Sequence, residues 1–172
     1  KGCVEQALSY GANTFMFYTG APQNTRRSSI DDFLSIEALT MMKENGIGLE
    51  KVVCHAPYIV NLANNKDLEK YHFSINFLIK EIERCNLMGI QYIVLHPGSA
   101  VGLELQEAIK NIIYALNIVL DTTDSVTICL ETMAGKGTEL GQNTEELKTI
   151  IEGIVKKERI GICLDTCHLN DA

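Results

Sequence analysis

QYIVLH, residues 91–96, is a short apolar run that ends on a histidine and lies between two helical patterns. Before it, Leu68, Tyr71, Ile75, Leu78, Ile82 and Cys85 step by three and four along residues 67–88, and Gly89 closes that helix. After it, Ala108, Ile109, Ile112, Leu116 and Val119 place a second helix over about 103–120. A strand that is apolar at every position, rather than at alternate ones, suits a parallel sheet buried on both faces. Working outward, the same alternation recurs in VVCH (52–55), ICLE (128–131) and ICLD (162–165). It also recurs in TFMFY (14–18), which follows a helix over 1–10 stopped by Gly11. The polar loop TGAPQNTRRSS (19–29) leads to a helix from about Ser29, where Asp32 makes a capping pattern, to Gly46; a last helix is expected over 144–157. No linker or low-complexity tract interrupts the series, so residues 1–172 read as a single α/β domain.

The chain has 172 residues, 46% hydrophobic and 22% charged, which fits a globular domain and excludes disordered and collagen-like classes. Its longest strongly apolar run without charge, 112–120, is too short to span a bilayer, so no membrane association is expected. Fifteen basic against 22 acidic side chains give a net charge of −7, which argues against coating nucleic acid by bulk electrostatics. A local basic patch or bound metal cations can offset that charge. Cys54, Cys129 and Cys163 fall inside apolar runs and read as reduced, packed thiols; no CxxC pair occurs. The first residues, KGCVEQALSYG, lack the pattern of a secretory signal, and a cytoplasmic location is expected. With no initiator Met and an end soon after His168, the chain is expected to be a piece of something longer.

Four consecutive strands end on side chains able to bind a metal: His55, His96, Glu131 and Asp165. With only four histidines and 22 acidic residues in the chain, such a run of strand ends is not what chance supplies. The carboxyl ends of parallel strands lie on one face, where residues distant in sequence converge on one cavity. Imidazole and carboxylate together suit zinc, manganese or iron better than calcium or magnesium. His168, three residues after Asp165, could be structural by itself; at the mouth of the same cavity it becomes a fifth candidate. His72, beside the apolar stripe of a helix, reads as structural. The strand ends are 41, 35 and 34 residues apart, near the ~31 residues per unit of a barrel. A doubly wound sheet has the same period, so both topologies remain open, although no GxGxxG is present.

HAPYIVNL (55–62), HPGS (96–99), ETMAGKGTELG (131–141) and GICLDTCH (161–168), in this order, closely resemble the endonuclease IV family of apurinic/apyrimidinic endonucleases. The resemblance implies a partial TIM (β/α)8 barrel made of parallel strands two to six with their helices. It implies a zinc-dependent DNA repair enzyme that cleaves the phosphodiester 5′ to an abasic site, leaving a 3′-hydroxyl and a 5′-deoxyribose phosphate. The implied ligands are His55 and His96 on one zinc, Glu131 bridging to a second that Asp165 also holds, and His168 on a third. The remaining family ligands come from a carboxyl-terminal part that these residues do not include. About one Zn2+ is therefore expected for this chain by itself, against three in the complete family site, with negligible cleavage. Glu131 is the expected catalytic residue.

The implied partner is damaged double-stranded DNA carrying abasic sites, and no oligomer is expected for the full-length protein. The resemblance places Arg26 and Arg27 in a minor-groove recognition loop, whereas their composition alone equally fits a solvated turn. It likens Tyr58 to a tyrosine entering the DNA stack, although unaided Tyr58 reads as a packing aromatic. Asn61 matches the family motif and would also suit a turn. Gly98 and Ser99 look like backbone amides approaching a phosphate, and 135–137 like a mobile loop near Glu131. Two other readings remain: a metal-dependent sugar isomerase or epimerase of the same barrels, and a non-catalytic metal-binding fragment.

Overall fold

The computed structural model describes residues 1–33 and 36–172. Five parallel strands, β1 (Met16–Phe17), β2 (Val53–His55), β3 (Tyr92–Leu95), β4 (Thr127–Glu131) and β5 (Ile160–Cys163), form one sheet in the order of the chain. Sequential order settles the topology that strand spacing leaves open. A doubly wound sheet reverses direction at a switch point, whereas a barrel adds each strand beside the last. The described residues thus form an open arc of a (β/α) barrel.

Between the strands run α1 (Gly2–Ser9), α2 (Ile30–Phe33), α3 (Ile36–Glu44), α4 (Leu68–Leu87), α5 (Leu105–Thr122), α6 (Thr144–Glu152) and α7 (Thr166–Asp171). Asp67 caps α4 by accepting from the Lys70 amide, and Asn143 caps α6 by accepting from that of Glu146. Ser29 Oγ accepts from the Asp31 amide at the start of α2; the Asp32 side chain lies outside the described residues.

The apolar stripes found in the sequence are the faces that pack. Leu78 and Ile82 of α4, and Ile112 and Leu116 of α5, are fully buried. They meet the sheet face carrying Cys54, Ile93, Ile128 and Leu130, each 0% exposed. The register pairs Val53 with Tyr92 and Thr127, and His55 with Val94, Cys129 and Gly161, so these residues occupy the other face. That face departs from the expected burial on both sides: Met16 is 51% and Tyr92 39% exposed. It is the inward face of the arc, which only closure of the barrel covers.

The α6 helix stops at Glu152, short of the expected residue 157. A Cβ on Gly153 would come within 2.6 Å of Ile113, so the chain passes close to α5 there. It then leaves the helix while keeping Ile154 buried, and a 3-10 turn over Lys157–Arg159 feeds β5. Arg159 binds this turn to the end of α5 through the carbonyls of Leu120, Thr123 and Val126. No helix among the described residues is long and apolar enough to cross a membrane.

Candidate metal centre

His55 closes β2, His96 follows β3 directly and Glu131 closes β4, so three adjacent strands deliver three donors to one end of the sheet. Glu131 Oε2 lies 3.1 Å from His55 Nε2 and 3.1 Å from His96 Nε2. Its other oxygen, Oε1, lies 3.3 Å from His168 Nδ1 in α7. Donor atoms of His55, His96 and Glu131 all fall within 4.8 Å of one another, as do those of Glu131, Asp165 and His168. All five expected ligands are therefore brought together, with Glu131 in both groups. His168 lies in the group with Glu131 and Asp165, and His72 is exposed on α4 and in neither group.

The imidazoles are already oriented. His55 Nδ1 is 2.6 Å from the Ala56 carbonyl, and His168 Nδ1 is 3.0 Å from that of Thr132. A carbonyl oxygen can only accept, so the His55 ring proton is placed on Nδ1, the arrangement that fixes metal-binding histidines elsewhere, whereas His168 turns the same nitrogen to both Thr132 and Glu131. In neutral His55 the lone pair on Nε2 then faces a carboxylate oxygen. Two acceptors opposed at 3.1 Å require a second proton or a cation between them. Donors 2.0–2.1 Å from a tetrahedral zinc are about 3.4 Å apart, so the residues present fit such an ion. With that second proton in place, burial still pushes the Glu131 carboxyl up, but the hydrogen bonds and charge from His55 and His96 more than offset this, holding it well below the usual carboxylate range. Glu131 remains an anion although it is only 4% exposed.

Asp165 serves two purposes. Its Oδ1 accepts from the amides of Cys167 and His168, both at 2.8 Å, capping α7 and setting His168 in place. Its own amide donates to Thr132 Oγ1 at 2.9 Å.

The residues expected to meet DNA divide. Arg26 is exposed and Tyr58 is 52% exposed, its ring 5.2 Å from that of His96 and 5.7 Å from that of His55. Arg27 is turned inward, its Nε 2.6 Å from Glu81 Oε1. Asn61 is a cross-link: its Oδ1 accepts from the amides of Ala63 and Ser99, and its Nδ2 donates to the Ser99 carbonyl. The Ser99 amide is thereby engaged within the protein, and its hydroxyl pairs with that of Thr138 at 2.7 Å. Gly98, with φ 127°, runs so close to Asn61 that a Cβ would come within 2.6 Å of Oδ1. The loop at 135–137 is held to α7 by Lys136 Nζ, 3.1 Å from Asp171 Oδ2.

Three contributors escape a reading by motif. Tyr18 packs its ring 5.0 Å from His55 and donates its hydroxyl to that of Tyr58 at 2.7 Å. It follows β1 directly, so the strand-end rule applied to TFMFY would have found it. Thr132 and Glu81 leave no comparable mark, since the first acts largely through its backbone and the second is one acid among many on a helix.

A sequential parallel sheet with side chains able to bind a metal at its carboxyl end is the arrangement of a metal-site barrel. Residues 4–172 match the xylose isomerase-like TIM barrel family, and the chain belongs to it. Within that family it is similar to the probable endonuclease 4 of Acholeplasma laidlawii, with 53% identity over 173 residues covering 99% of this chain and 58% of that protein. The crystal structure of endonuclease IV from Thermus thermophilus superimposes with a TM-score of 0.72 at 28% identity, over 99% of this chain and 59% of that one. An L-ribulose 3-epimerase superimposes equally well, TM-score 0.73, at 18% identity over 97% of this chain and 56% of that one, which shows the shared fold alone. The chain thus spans somewhat under three fifths of the length of these relatives.

Proposed function

We propose that these residues carry the metal-binding half of a zinc-dependent DNA repair endonuclease that hydrolyses the phosphodiester 5′ to an abasic site, leaving a 3′-hydroxyl and a 5′-deoxyribose phosphate. The observation that carries this reading is the His55–His96–Glu131 triad, in which two imidazole Nε2 atoms converge at 3.1 Å on one buried carboxylate oxygen. Bound zinc supplies an electrophile for phosphate oxygens and makes water acidic enough to yield a nucleophile at neutral pH.

The protein's own residues do the rest. His55 and His96 would hold one ion, Glu131 would be shared with a second that Asp165 also holds, and His168 would serve a third. Glu131 stays ionised and so offers both oxygens as acceptors. Tyr58 and Tyr18 pack beside His55 and form one wall of the site. An abasic nucleotide leaves the helix at little cost because it has no base to unstack, and the exposed ring of Tyr58 offers a stacking surface beside it. Six unpaired thiols and a DNA substrate suit a cytoplasmic location.

The test is a nicking assay of the full-length protein on a duplex with one abasic site, before and after chelation, beside a panel of ketoses. Zinc-dependent incision on the 5′ side is expected. Epimerisation of a ketose with the DNA left intact would overturn the reading in favour of sugar chemistry.

A further inference from the structure

Glu81 is a carboxylate only 1% exposed, and it lies on the helix side of the sheet, apart from the metal centre. It meets the loop between β1 and α2 from beneath. Arg27 Nε donates to its Oε1 at 2.6 Å, and Thr19 Oγ1 donates to its Oε2 at 2.5 Å. Phe77 and Arg84 lie one turn to either side on the same face of α4. The Arg27 guanidinium lies 4.7 Å from the centre of the Phe77 ring, and Arg84 donates to the Ser28 carbonyl at 2.7 Å. Arg27 also donates to the carbonyls of Asn24 and Arg26, drawing the loop around its own side chain. Gly20 admits this: a Cβ there would collide with the Arg26 carbonyl oxygen.

The loop so held reaches the site at two points. The Pro22 carbonyl accepts from the Tyr58 amide at 3.0 Å, and Arg26 is left exposed at the loop's outer end. We infer that Glu81 is a positioning residue for nucleic-acid binding: through Arg27 and Thr19 it fixes the 19–28 loop so that Arg26 faces a backbone phosphate while Tyr58 is kept over the metal centre. The inference rests on the proposed action on DNA. A guanidinium and a carboxylate that are buried together hold a fixed geometry, because releasing either one strands the other's charge.

Full-length zinc-loaded protein is compared with Glu81→Gln, Arg26→Ala and the double variant. For each, affinity for an abasic duplex is measured against salt concentration. In the wild type and Glu81→Gln, trypsin cleavage of the Arg26–Arg27 bond is also timed. Glu81→Gln is expected to weaken binding about tenfold, to lower the salt slope by about one phosphate contact as Arg26→Ala does, and to keep its zinc. The double variant should lose no more than either single one, and trypsin should cut the released loop several-fold faster. An unchanged slope and cleavage rate in Glu81→Gln, or full additivity with Arg26→Ala, would overturn the inference. If the wild type shows no binding to the abasic duplex, the functional reading fails by itself, and the trypsin comparison alone decides whether Glu81 clamps the loop. Should Glu81→Gln not fold, Arg27→Lys, which keeps the charge and loses the fork, is read in the same way.

Discussion

Glu131 belongs to both donor groups, and replacing it tests them together. In Glu131→Gln the amide cannot present two anionic oxygens, so zinc affinity should fall at least about 10-fold and incision should be abolished. Affinity for an abasic duplex should stay within a few-fold of the parent, because Arg26 and Tyr58, the residues proposed to meet the DNA, are left intact. Equilibrium zinc titration, nicking and DNA binding check the three parts. Asp165 allows a cleaner separation, since one oxygen caps α7. Asp165→Asn keeps an oxygen for the amides of Cys167 and His168, so apo stability should hold while zinc affinity drops. Asp165→Ala should lose the zinc and also about 1 kcal/mol of stability, measured by denaturation of the apo protein. The five metal-binding candidates were legible because strand ends are fixed by apolar periodicity and the donor side chains are chemically distinctive. Arg27 was not, since nothing local separates an arginine that meets solvent from one that meets a buried acid 54 positions away.

The α4 and α5 helices touch through a polar bond as well as an apolar seam: the Tyr71 hydroxyl donates to the Asn111 carbonyl, and Asn111 Nδ2 donates to that of Ala63 at 3.0 Å. Burial, and then the nearby Tyr114, push the Tyr71 hydroxyl up to about 12. The folded form therefore favours the protonated phenol more than the unfolded chain does. Its contribution is complete below the unfolded pKa near 10 and is lost as pH rises towards about 12. Tyr71→Phe should cost about 1 kcal/mol at neutral pH and make the decline between pH 10 and 12 shallower, as followed by urea melts across that range. Long helices such as α4 were legible almost to the residue because their stripe and their cap, Asp67, agree. The end of α6 was not, since Ile154 continues the stripe while the chain has already left the helix at Gly153 to clear Ile113. Only tertiary contact carries that information.

Across the 172 residues, the donors present complete one three-ligand set, His55, His96 and Glu131, while the second shares Glu131 with it. Tested without additional sequence, this polypeptide should hold about one zinc after dialysis and show negligible nicking of an abasic duplex, as read by metal analysis beside the nicking assay. A full zinc complement with near-parent turnover would mean that donors beyond these are supplied in some other way, such as by a second copy. Strand spacing left the sequential parallel topology as one of two possibilities, because repeat length is common to barrels and doubly wound sheets; the resemblance of the four strand-end motifs to a barrel family is what selected it.

The alternation of faces along β2 and β4 places a buried row, Cys54, Ile128 and Leu130, directly beside the row that ends in His55 and Glu131. Deleting or inserting a single residue within either strand exchanges the rows, turning the candidate donors into the helix layer and core side chains into the cavity. Such a strand tolerates spelling changes far better than changes in word length. Room for lineages to diverge therefore lies in the identity of the apolar letters and in the length of the loops, while the count of residues between the first pairing of β2, β3, β4 or β5 and the candidate donor that follows it has no slack.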